Sequence, residues 1–268
     1  MILVYFNDIL TIMDVHKLSK LNNLLRNWPF GTVAVQPWLK KMKIYRQLIY
    51  RYEQYKWVER IGSGAFIRGG DKVSWIGGLY AIQKHLKKNI HIGGKTALEL
   101  HGYGHFLRMG HEVPVFLYGP PGEKLPKWYI KYKWDARVVL NLVDLFPKKR
   151  DFALTQKSMG SFDITLSSPE RAMMEALHLV PHEQSFEEAE LLMGGLGALR
   201  PIVIQRLLEH CRSIKVKRLF MYLSEKCEHP WVSEIILSKI ELGSGNRMIV
   251  RNGKLNAKYK ITVVKNDR

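Results

Sequence analysis

Residues 45–56 hold the side chains whose types and spacing are best suited to chemistry. If the segment is helical, at 100° per residue Leu48, Tyr52 and Tyr55 share one face, with Tyr45 near its edge. Arg46, Gln47, Tyr50 and Gln54 then project from the opposite side. Arginine and glutamine make paired hydrogen bonds to purine edges, and such side chains also reach phosphate and sugar. The stripe therefore suits a helix lying in the major groove of DNA. Just upstream, Lys40, Lys41 and Lys43 are placed to neutralise phosphates, which position a protein on a duplex without reading its sequence. Immediately downstream, residues 57–61 and 65–68 flank Gly62-Ser63-Gly64, the pattern of two short strands about a glycine-rich turn. Arg60 and Arg68 are expected as charges on that hairpin, neutralising phosphates together with the three lysines.

Other chemistries find less support. Gly62-Ser63-Gly64-Ala65-Phe66 resembles the start of a kinase phosphate-covering loop, but the third glycine is replaced by Ile67, and neither HRD nor DFG follows. His101 and His105 have H-x3-H spacing and His111 lies nearby. Gly102 and Gly104 disfavour the helix such a metal site needs, and no HExxH completes it. Gly93-Gly94 before a helix offers free N–H groups of the kind that bind phosphate, but a simple tight turn is the preferred reading. Ser167, Ser168, Pro169 and Glu170 read as a helix start, with Ser168 as cap and Pro169 in the first turn. Glu187, Glu188 and Glu190 read as a solvated helix face. No GxSxG, Walker loop or paired-carboxylate motif occurs, so no catalytic residue, metal or cofactor is expected.

The elements that must position the basic stripe follow from periodicity. Asp14 caps a first helix carrying Leu18, Leu21, Leu24 and Leu25 on one side and stopped by Pro29. Thr32 is a candidate cap for a short second helix with Trp38, Leu39 and Met42 inward, and residues 45–56 form the third. Three helices and a hairpin, in that order, make a winged helix-turn-helix. Residues 75–88 read as a connecting amphipathic helix, which places a domain boundary near residue 90. Beyond it come a strand at 90–92, a helix at 95–101, strands at 113–118, 129–133, 137–142 and 164–166, and a helix through 171–179. Helices follow at 185–196, 201–211, 216–227 and 232–240, and a basic strand pair at 247–251 and 259–264. The fold expected is α+β: a winged helix-turn-helix domain over 1–90 and a larger mixed domain over 91–268, without a βαβ rhythm.

Charge bears on partners. The 268 residues carry 42 Lys and Arg against 24 Asp and Glu, a net +18, which favours polyanions. Residues 1–75 hold 12 basic and 5 acidic side chains, 76–150 hold 13 and 5, and 151–268 hold 17 and 14, so the excess lies in the first 150. Charge alone does not separate DNA from RNA. Cys211 and Cys227 are too few for a disulfide framework, no apolar run has the length of a membrane span, and the first residues lack a signal-peptide pattern. A reduced, cytoplasmic protein is expected, with organised sequence starting just after Met13.

The runs YRQLIYRYEQYKWVERIGSGAFIR (45–68), HIGGKTALELHGYGHFL (91–107) and SFDITLSSPERAMMEAL (161–177) resemble AbiEi-type antitoxins and transcriptional regulators of bacterial type IV toxin–antitoxin (abortive infection) systems, over about residues 14–264. The resemblance implies a repressor whose winged helix binds inverted repeats in the promoter of its own operon. It also implies a C-terminal domain that counteracts an AbiEii-like nucleotidyltransferase toxin, without requiring a stable complex with it. From a different class, a nuclease with a winged-helix targeting domain is the alternative, motivated by the basic stretch 124–149 beside a mixed sheet.

Overall fold

The structure is a computed structural model that describes residues 20–104, 114–147 and 152–264. Helix α1 is described over 20–27; Asp14 and Leu18 lie outside the described residues. It ends before Pro29, which cannot continue a helix. Thr32 does not cap the next helix as expected: its hydroxyl donates to the Pro29 carbonyl at 2.7 Å, and the chain first forms strand β1, Ala34–Val35. Val35 is the residue before helix α2, Gln36–Lys41, and Pro37 sits in the first turn, where its missing N–H costs nothing. A short turn follows, with Lys43 in the left-handed region at φ 58°. Helix α3, Arg46–Gln54, comes next. Strands β2, Val58–Gly62, and β3, Ala65–Arg68, pair antiparallel, and β1 adds to the other side of β3. Leu21, Leu24, Trp28, Leu39, Ile44, Ile49, Tyr52, Val58 and Phe66 close the core beneath. Helix α4, Trp75–Tyr80, continues into a π-helical turn, Ala81–His85.

By its contacts the chain divides into two units. The first holds residues up to Lys88 together with Lys124–Asp135 and Ser158–Ile164. The second holds Asn89–Glu123, Ala136–Lys157 and the chain from Thr165 onward. The expected strand at 129–133 is instead part of helix α6, Lys127–Lys131, in the first unit. Pro126 starts that helix, Trp128 and Tyr129 are buried, and the Tyr129 hydroxyl donates to the Trp75 carbonyl at 3.0 Å. Five alternating residues are too few to choose a strand when two adjacent aromatics anchor one helical turn.

Strands β4 (His91–Ile92), β5 (Pro114–Gly119), β6 (Arg137–Leu142), β7 (Leu154–Ser158) and β8 (Asp163–Ser167) form a mixed sheet in the order β6-β5-β4-β8-β7. Strand β4 is antiparallel to β5 and parallel to β8. Helix α5, Gly94–Leu100, follows β4, and helix α7, Pro169–Leu179, follows β8 with Ser168 at its cap position as expected. Most of α7 is buried, because α5 and helices α8 (Phe186–Gly194), α9 (Pro201–His210) and α10 (Ile214–Lys226) all pack on it. The expected helix at 232–240 is two 3₁₀ turns, Pro230–Glu234 and Leu237–Lys239. Strands β9 (Arg247–Met248), β10 (Lys254–Asn256) and β11 (Ile261–Val263) make a closing sheet in the order β10-β11-β9. No helix among the described residues is long and apolar enough to cross a membrane.

Candidate nucleic-acid interface

Helix α3 buries Ile49 and Tyr52 and half-buries Leu48. Arg46, Gln47, Tyr50, Arg51 and Gln54 are all exposed. Nine residues give the helix a length of ~13 Å, and its diameter with side chains, roughly 10–12 Å, is what a major groove ~12 Å wide admits. The wing is tied close to α2: the Gln36 N–H donates to the Gly64 carbonyl at 2.8 Å. Gly64 turns the hairpin at φ +69°, a conformation that strains other residues, and a Cβ there would lie 3.4 Å from the Gln36 Cβ. Between α3 and this turn opens a concavity of about 920 Å³ lined by Gln36, Arg46, Gln47, Ile49, Tyr50, Arg51, Arg60, Ser63 and Gly64. Three guanidinium groups and no carboxylate face it. Among the described residues, neither Arg46 nor Arg51 has an ion-pair partner.

The structure therefore brings Arg46, Gln47, Tyr50 and Arg60 to one groove, with Gln54 exposed on the next turn of the same helix and Lys40, Lys41 and Lys43 exposed on and just after α2. Arg60 is held by Glu53, its Nε donating to Oε1 at 2.9 Å and its Nη2 to Oε2 at 2.6 Å. That pairing raises the Arg60 guanidinium, which also lies 4.8 Å over the Phe66 ring. Arg68 departs from expectation. It is 8% exposed, and its Nη2 donates to the carbonyls of Leu25 and Trp28 at the end of α1. Its guanidinium stands 4.1 Å over Phe30, so it clamps the helix end rather than presenting a charge on the wing. Tyr55 departs as well: it is 67% exposed and stacks on Trp57 at 5.2 Å, while Ile49 takes the inward place. Gln36, Arg51 and Ser63 were missed as groove residues. For Arg51 a signal existed, since it falls on the same exposed arc of α3 as Gln47 and Gln54.

The second unit holds a different kind of charge. Glu175, on α7, is almost wholly buried and accepts four hydrogen bonds. They come from Arg171 Nε at 2.7 Å, Ser167 Oγ at 2.7 Å, His91 Nε2 at 3.0 Å and the Gly94 N–H at 3.1 Å. Burial pushes the carboxyl up, but the Arg171 charge, with His91, outweighs it and holds Glu175 at about 2. Burial lowers His91, so its neutral imidazole donates through Nε2. The anion at the start of α5 is thus the protein's own. Gly93 is glycine because a Cβ there would fall 2.2 Å from Glu175 Oε2. Ser167 and His91 bond to different oxygens of the carboxylate rather than to each other, so the three do not make the serine–histidine contact of a triad. A further concavity of about 490 Å³ at the start of α7 contains the pair Glu170–Arg200, at 2.8 Å, with Glu170 buried beneath. His101 interacts with the Ser167 carbonyl at 2.9 Å; His105 and His111 lie outside the described residues. Glu188 pairs with Lys95 and Glu190 with Lys226. Among the described residues no group of three or more His, Cys, Asp or Glu could share a metal ion.

The sequence matches the family described as transcriptional regulator, AbiEi antitoxin, Type IV TA system, over residues 112–264, and that family's N-terminal domain over residues 17–109. The chain belongs to the AbiEi antitoxin family. All residues of the groove fall in the match to the AbiEi N-terminal domain, whereas Ser167, Arg171 and Glu175 fall in the other AbiEi match. The fold is similar to that in the crystal structure of the RV2827C protein from Mycobacterium tuberculosis. The two share 16% identity and a TM-score of 0.56, over 92% of this chain and 90% of that one. No protein of curated function matches the chain.

Proposed function

We propose that this AbiEi protein is a cytoplasmic repressor that binds the promoter of its own operon, at inverted repeats, through the α3 groove. In this reading Arg46, Gln47, Tyr50 and Gln54 meet base edges or sugar, and Lys40, Lys41 and Lys43 meet phosphates. Arg60 supplies the wing charge. The observation that carries it is the groove itself: three arginines, no carboxylate in its lining, and a polar helix face opposite the Gly64 turn. The larger domain is assigned the antitoxin role, counteracting a nucleotidyltransferase-like toxin encoded nearby, with no stable complex required.

The test is binding of purified protein to its own upstream DNA against scrambled DNA of equal length, across several salt concentrations. Preference for the native fragment that persists near physiological salt supports the repressor. Charge-only binding instead weakens there to Kd values of roughly 10⁻⁴–10⁻⁶ M. Loss of Arg46 as Arg46→Ala is expected to cost about 1–3 kcal/mol of sequence-specific affinity. Normal operator binding by both Arg46→Ala and Gln47→Ala would show that the reading face is elsewhere. Cleavage of plasmid or tRNA with Mg2+ or Mn2+ would move the protein to the nuclease class instead.

A further inference from the structure

Glu53 lies behind the groove rather than in it. It is the only acidic residue of α3, and it grips Arg60 of β2 through both carboxylate oxygens at 2.6–2.9 Å. Arg60 keeps about half its side-chain surface exposed, while Glu53 is mostly covered. The fork uses Nε and one Nη of Arg60, and Phe66 supports the guanidinium plane at 4.8 Å. Bidentate pairing of this kind fixes direction as well as charge. Arg60 thus reaches the groove as an oriented donor whose positive charge is already compensated. Arg46 and Arg51, in the same groove, are not compensated in this way among the described residues.

We infer that Glu53 is a positioning residue that sets sequence discrimination, by withholding Arg60 from sequence-independent contacts with phosphate. The inference rests on the groove being the DNA-binding face. Its logic is counterion release: a free arginine placed on a phosphate adds to nonspecific affinity and steepens its salt dependence, whereas an arginine held by a carboxylate adds little. A contact to phosphate would require either breaking the fork or bringing the Glu53 carboxylate close to the DNA backbone, and both oppose nonspecific binding. At a correct site the fixed donor is already aimed, so less ordering remains to be done.

Four proteins test this on scrambled and native duplexes over a salt series: the parent, Glu53→Gln, Arg60→Ala and the double variant. Glu53→Gln is expected to bind scrambled DNA about fivefold more tightly, the scale of one partly exposed ion pair. The slope of log K against log salt should steepen by about 0.9, the value of one added phosphate contact. Both changes should be lost in the double variant, which has no Arg60 to release, and Arg60→Ala alone, which bares the Glu53 carboxylate, should weaken binding to both duplexes. Two results overturn the inference while leaving the groove as the DNA site: unchanged scrambled-DNA binding by Glu53→Gln, or a gain in scrambled-DNA binding that survives in the double variant. Where Glu53→Gln folds poorly, Glu53→Ala and its double with Arg60→Ala read the same gain and its loss. Failure of the parent to bind either duplex overturns the groove assignment itself, and this inference with it.

Discussion

Arg46 in the α3 groove and Glu175 beneath α7 are both charges carried on helices, and they have opposite fates. Arg46 is exposed and has no ion-pair partner among the described residues; Glu175 is buried and satisfied by four donors. A charge that is left uncompensated in water costs the fold almost nothing and stays available to an external polyanion. A charge enclosed in the core must be answered internally, and once answered it has no capacity left for a ligand. The contrast separates the charges that organise the protein from those offered to a partner, and net charge cannot make that separation.

The strongest way to break the comparison is to remove the buried anion. Glu175→Ala leaves the Arg171 guanidinium, a serine hydroxyl and the Gly94 N–H without their acceptor, and is expected to cost about 3–5 kcal/mol of stability. Chemical denaturation measures it. A loss below about 1 kcal/mol would mean that the donors find other partners and that the network is no keystone. Acid should weaken the same network. The folded carboxyl sits at about 2, below its usual 4.5, so its stabilisation is complete above 4.5 and drains as pH falls towards 2. His91 acts in the same direction but starts earlier: burial lowers it from 6.5, so the unfolded chain takes up a proton first as pH drops below that value. Denaturation midpoints measured from pH 7 downward should therefore fall in two stages, the second of them smaller in Glu175→Ala, where Glu170, buried yet held low by Arg200, still contributes.

Arg68 sharpens the contrast, because it lies in the first unit but behaves as Glu175 does. Replacing it by methionine keeps the bulk and strands the carbonyls of Leu25 and Trp28, at a cost of about 1–3 kcal/mol. The salt slope of DNA binding by the folded variant should be unchanged. A slope reduced by about 0.9 would return Arg68 to the phosphate contacts.

These cases mark how far the sequence was legible. The α3 stripe, the glycine turn at residue 64 and the Ser168–Pro169 start of α7 are written in local rules of spacing, φ and capping, and a single sequence displays them. What decides Arg68 is two carbonyls 43 and 40 residues away along the chain. What decides Gly93 is a carboxylate more than 80 residues away. Nothing in their neighbourhoods announces either partner. Residues 129–133 failed for the opposite reason: the local alternation was real but short, and burial of Trp128 and Tyr129 overrode it. Tyr55 failed because it stands at the helix end, where one turn's drift carries it out over Trp57.

The smallest expected effect is the most diagnostic of the open face. Lys40, Lys41 and Lys43 are exposed, so Lys→Gln at any one should leave stability within about 0.5 kcal/mol of the parent. If each meets a phosphate, each substitution should flatten the salt slope by about 0.9 and weaken native and scrambled DNA equally. Gln47→Ala should do the reverse, lowering affinity for the native fragment while the slope stays put, since a base-edge contact releases no counterion. A lysine variant that altered discrimination, or a Gln47 variant that altered only the slope, would exchange the roles of α2 and α3. Lys43 adds a control of its own. It sits at φ 58°, so Lys43→Gly should relieve backbone strain while removing the same charge. Stability and DNA affinity should then move in opposite directions, which no loss of folding could imitate.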